Sequence, residues 1–179
     1  MRIAMKTRRI ARDGIMLAML IICSQLSIPL PMVPLTMQTF AVGLVATMLP
    51  VGETLLIIST YLIIGIAGIP VFANYTGGIA IINSPMGGYL IGFLVYGLLT
   101  SGYLKLTKFS SLHLIIANVI GASAQLLIGS LWLMYFNHLH LGSALLIGFV
   151  AFIVPGIIKI GLIWAVAKQL NAIQIFQRA

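Results

Sequence analysis

The sequence predicts an all-α integral membrane protein with six transmembrane helices. Three observations carry this. Of 179 residues, 61% are hydrophobic and 7% are charged, against about 25% charged in soluble domains. Apolar runs recur along the chain, several near the ~20 residues that a spanning helix needs. Lys and Arg fall on one side of a six-span arrangement, the asymmetry expected of cytoplasmic loops.

The elements follow in order. Residues 1–13 carry Arg2, Lys6, Arg8, Arg9 and Arg12, a basic cytoplasmic segment ahead of the first apolar run, 14–28. That run resembles the core of a signal peptide. It ends in Ile28-Pro29-Leu30-Pro31 with no small-x-small cleavage site, so it reads as a retained first span. The second run, 39–49, is short. Pro50-Val51-Gly52 separates it from the third, 54–69, because proline ends helices. A short or tilted helix packed against protein is expected there. Runs 87–104, 112–136 and 144–170 complete the six.

Six spans place both termini on one face. Nine of the ten Lys and Arg lie outside the spans or at the end of the last one, and all nine fall on that face: the five at the N-terminus, then Lys105, Lys108, Lys168 and Arg178. Linkers 29–38, 70–86 and 137–143 on the opposite face have none. Five spans would destroy the pattern. Both termini are therefore expected in the cytoplasm, and residues 1–179 as a single membrane domain. Linker 70–86 is long, apolar and uncharged, so it is expected to fold over the bundle as an outer lid.

The chemistry that is absent narrows the function. There is no G-x-x-x-x-G-K-S/T loop for nucleotide phosphates. The two acids, Asp13 and Glu53, are not paired for acid–base work. Cys23 alone makes neither a disulfide nor a thiolate metal site. His138 and His140 lack a third ligand, and Ser123 has no histidine at its depth, so neither a metal site nor a serine nucleophile is expected. The basic residues form no stripe with interleaved aromatics, which excludes nucleic acid despite a net charge of +8. No enzyme activity and no cofactor are expected. Trp132 and Trp164 read as interfacial anchors or packing residues.

Lys159 is the one charge deep inside a predicted span. Burying it costs about 2.5–3.5 kcal/mol even on insertion scales. The chain offers no intramembrane carboxylate as partner, so a ligand anion is the expected one. The alternative is a lysine that snorkels to the interface or is capped by carbonyls that Pro155-Gly156 frees. Thr36, Gln38, Asn74, Tyr75, Thr76, Asn83 and Tyr89 are candidates for a polar cup at the outer face. Ala11, Gly14 and Ala18 share one face of the first helix, where small residues permit close helix approach. That face serves either another membrane protein or packing within the bundle.

Four stretches together resemble a known family. They are Val33-Pro34-Leu35-Thr36-Met37-Gln38-Thr39-Phe40, Gly65 to Phe72, Thr76-Gly77-Gly78 with Ser84-Pro85-Met86-Gly87-Gly88-Tyr89, and Pro155-Gly156 with Lys159. Their order and spacing resemble the BioY family, the biotin-specific S components of energy-coupling-factor (ECF) transporters. The resemblance implies an S-component-like bundle in a bacterial cell membrane that binds a vitamin from outside. It implies a membrane scaffold subunit and two ATPase subunits as partners, besides lipid. It places scaffold docking on Gly14 and Ala18, and the Gly-rich lid on 70–86. The chain departs from the family pattern at three positions: Thr76 where Asn is common, Leu90 where Arg is common, and Gly156 where Asp is usual. The resemblance favours biotin. These substitutions make lipoate, with the same acid tail and an apolar ring, the rival. A membrane scaffold or assembly protein without substrate is the alternative of a different class.

Overall fold

The computed structural model describes residues 2–107 and 110–170, with side chains from residue 7 onward. Lys108 and Arg178 lie outside the described residues. The chain forms helices α1 (Arg2–Gln25), α2 (Gln38–Met48), α3 (Val51–Ile66), α4 (Gly87–Leu106), α5 (Ser111–Phe136), α6 (Leu141–Gly148) and α7 (Ile153–Leu170). A two-residue hairpin pairs strands β1 (Ser27–Ile28) and β2 (Leu35–Thr36). The α6–α7 unit covers the sixth apolar run, so six helical passes are present.

Several boundaries differ from expectation for physical reasons. α1 starts at Arg2, so the basic segment is helical and continuous with the first span. α1 stops at Gln25, before the Pro29-x-Pro31 segment. The sixth pass breaks at 149–152, a short 3-10 segment, ahead of Pro155. Pro155 itself sits in the first turn of α7, where the missing N–H has no helical partner to lose.

α2 is the hub. It has 11 residues, too few for a bilayer at about 1.5 Å per residue. It needs no lipid contact, because residues 41–48 are all buried. It packs against α1, α3, α4, α5 and α7. Asn118 on α5 ties this hub together: its Nδ2 donates to Thr47 Oγ1 on α2 at 2.9 Å, and its Oδ1 accepts from Tyr96 Oη on α4 at 3.0 Å. The α4–α5 pair interlocks glycines with rings. Trp132 lies over Gly88, Tyr96 over Gly121 and Tyr89 over Gly129. In lipid this close packing replaces the hydrophobic drive that holds soluble helices together.

The two acids are both used at the end where α1 begins. Arg12 bonds Asp13 Oδ1 at 3.1 Å and also reaches Glu53 on α3. Linkers 26–37 and 67–86 meet at the opposite end. There Gln25 Nε2 donates to Phe72 O at 3.2 Å, and its Oε1 accepts from Tyr75 N at 3.0 Å. Tyr61 Oη donates to Val71 O at 3.0 Å, and Trp132 Nε1 to Ser84 O at 2.9 Å. The long apolar linker is thus laid on the bundle and hydrogen-bonded to α1, α3 and α5.

Candidate functional site

A cavity opens beneath this loop-bearing end, between α2, α4, α5 and α7. Its space, including the mouth, is about 610 Å³. The wall is mostly apolar, with Val33, Leu90, Phe93, Ala122, Leu126 and Phe152. Six polar side chains interrupt it: Thr36, Gln38, Thr39, Tyr89, Gln125 and Lys159.

Lys159 stands on α7 and is 9% exposed. Its Nζ donates to Thr39 Oγ1 at 2.8 Å. A hydroxyl accepts this bond but does not neutralise the charge. Asp13 and Glu53 are engaged with Arg12, so the described residues offer Lys159 no anion. The ammonium is held by a side-chain hydroxyl of α2 and not by the carbonyls expected on the alternative reading.

The other polar groups are largely satisfied within the protein. Thr36 Oγ1 donates to Gln38 Oε1 at 2.8 Å, and Gln38 Nε2 donates to Tyr61 Oη at 2.6 Å. Gln38 is 3% exposed and occupied at both ends of its amide. Tyr89 Oη donates to Gly148 O at 3.1 Å, which ties α4 to the end of α6. The Tyr89 ring stands 6.4 Å from Phe152, centroid to centroid.

The cavity therefore brings together Lys159, Gln38, Thr36 and Tyr89. It does not include Tyr75, Thr76 or Asn83. Tyr75 is 74% exposed, and Asn83 is exposed. Thr76 Oγ1 donates to Ala73 O at 2.8 Å within its own turn. Asn74 is exposed too, paired with Ser27. Left-handed backbone at Asn74 and Tyr75, φ 57 and 56, turns this stretch outward. Only Met86, at the end of the lid segment, contributes to the wall. Two residues that the sequence does not single out as site residues also line it, Thr39 and Gln125. Two of the three departures from the family pattern, Leu90 and Gly156, lie on this wall as well.

A second, more apolar groove runs between 26–37 and α7 and shares Thr36 and Lys159 with the cavity. On α1, Ala11, Gly14 and Ala18 are all exposed, and a Cβ at Gly14 would meet nothing within 4 Å. This face is not used for packing within the bundle. His138 and His140 are exposed at the α5–α6 turn, while His113 Nδ1 pairs with Tyr103 Oη at 3.0 Å.

The chain matches the BioY family over residues 1–175. It belongs to that family. It is 44% identical over 142 residues to the biotin transporter BioY2 of Lactococcus lactis subsp. cremoris, covering 79% of this chain and 78% of that protein. It is 33% identical over 168 residues to the biotin transporter BioY of Thermotoga maritima, covering 94% and 98%. Its fold matches a crystal structure of the S-component for biotin from an ECF-type ABC transporter, with TM-score 0.89. That match has 23% identity and covers 96% of this chain and 95% of the other. This BioY protein is a multi-pass membrane protein of a transporter family.

Tyr89 gives the first test of the cavity's geometry. A Cβ at position 129 would run into its ring, so Gly129→Ala must displace the ring or part α4 from α5. Overpacking of this kind costs about 1–3 kcal/mol. Thermal unfolding in detergent should show a lower melting temperature for Gly129→Ala. An unchanged melting temperature would mean that Tyr89 does not lie against Gly129.

Proposed function

We propose that this BioY protein is the substrate-binding membrane subunit of an ECF-type uptake transporter and that its cavity holds biotin. The observation that carries the reading is Lys159, a buried cation on the cavity wall to which the described residues offer no anion. The biotin carboxylate supplies that anion, and the apolar wall covers the valerate chain and ring. The names of the relatives in Lactococcus and Thermotoga support the choice of substrate. With both termini in the cytoplasm, the cavity end faces outward in the cell membrane of a bacterium. The exposed small-residue face of α1 receives a membrane scaffold subunit, and two separate ATPase subunits supply the energy. The chain itself has no phosphate-binding loop.

Leu90 and Gly156 on the wall favour a second reading, lipoate. They put an apolar side chain and no side chain where the family pattern has charges. Titration of the purified protein with biotin and lipoate side by side decides between them. Biotin is expected to bind more tightly. Tighter lipoate binding would establish the second reading, and binding of neither would leave the scaffold alternative.

A further inference from the structure

Gln125 lies in the middle of α5, on the cavity wall, and is 1% exposed. Its Nε2 donates to the backbone carbonyl of Tyr89 at 3.3 Å. That carbonyl accepts and does not donate, so the bond fixes which end of the amide is nitrogen. Oε1 is then the other end, and it has no donor. Among the described side-chain N and O atoms that are buried in this way, it is the one left unpaired.

The other side-chain oxygens around the cavity already make hydrogen bonds within the protein. Gln38 Oε1 accepts from Thr36, and Thr39 Oγ1 accepts from Lys159. Thr36 Oγ1 accepts from Gln38 N at 3.3 Å while donating to the Gln38 amide. Tyr89 Oη is directed to Gly148. Gly156 has no side chain to accept with, and Leu90 has no polar atom. A buried acceptor without a donor carries a desolvation cost that a ligand N–H would remove.

We propose that Gln125 Oε1 accepts an N–H from the ring of the bound ligand. Lys159 and Gln125 then form two poles, one for a carboxylate and one for an N–H donor. This makes Gln125 a specificity residue for acids whose ring carries N–H, such as a cyclic urea, over acids with an apolar ring. It rests on the proposal that the cavity binds a carboxylate-tailed vitamin, and it names the group that reads the other end.

The test measures affinities of wild type, Gln125→Leu and Gln125→Met for biotin, lipoate and two biotins methylated at one or the other ureido nitrogen. Gln125→Leu and Gln125→Met should weaken biotin by roughly 5- to 100-fold and leave lipoate nearly unchanged. In the wild type, methylation at one nitrogen should cost affinity, and that cost should shrink in Gln125→Met. Equal losses for biotin and lipoate would mean that Gln125 only positions Tyr89, and would overturn the inference. So would a wild type indifferent to methylation at both nitrogens, a comparison that needs no variant to fold. Tight biotin binding that depends on Lys159 but not on Gln125 overturns this inference alone. Failure of the wild type to bind biotin overturns the substrate assignment with it.

Discussion

Lys159→Ala is expected to weaken binding of the vitamin acid by about 10- to 150-fold. A hydrogen bond to a charged group contributes roughly 1.5–3 kcal/mol, and no other described cation lines the cavity. The empty protein should lose no stability from the change. The ammonium is buried with only the Thr39 hydroxyl for company, so removing it relieves a desolvation cost. Lys159→Arg should fail too, because the larger fork does not fit the place of a compact ammonium beside Thr39. A neutral amide of the same vitamin separates charge pairing from packing. It should bind the wild type weakly and lose little more in Lys159→Ala. Equal losses for acid and amide would assign Lys159 to the fold.

Gly14→Leu is expected to abolish copurification with the proposed scaffold subunit and, with it, uptake. Ala18→Leu should act in the same way. Both residues are exposed on α1, and a side chain added at Gly14 would find no neighbour within 4 Å of its Cβ. The larger side chains therefore disturb nothing inside the bundle, and vitamin binding by the isolated protein should be unchanged. They would, however, hold a partner helix away from the α1 backbone. If ligand binding falls together with copurification, the α1 face supports the bundle and the docking assignment fails.

The bundle is legible in the sequence because lipid imposes simple rules. Apolar length marks the passes, and Pro50-Val51-Gly52 separates α2 from α3. The break in the last pass is harder to place, because proline looks like a breaker in sequence but is tolerated in a first turn, as Pro155 is. The deep charge is legible too, since Lys159 has no sequence neighbour to excuse it. The polar loop residues are not. Tyr75, Thr76 and Asn83 lie close to the cavity helices in sequence, yet backbone turns and loop hydrogen bonds direct the first two away from the cavity, and Asn83 is exposed. Gln125 does not stand out because α5 carries two buried amides seven residues apart on one face. Asn118 is consumed by Thr47, Leu114 and Tyr96, whereas Gln125 keeps a free oxygen. Only the packing of α2 and α4 around α5 distinguishes them.

The most direct measurement is a structure of this protein with biotin bound. The ligand is expected in the cavity between α2, α4, α5 and α7, with a carboxylate oxygen about 3 Å from Lys159 Nζ. Biotin in the groove between 26–37 and α7, or seated with its carboxylate away from Lys159, would contradict it.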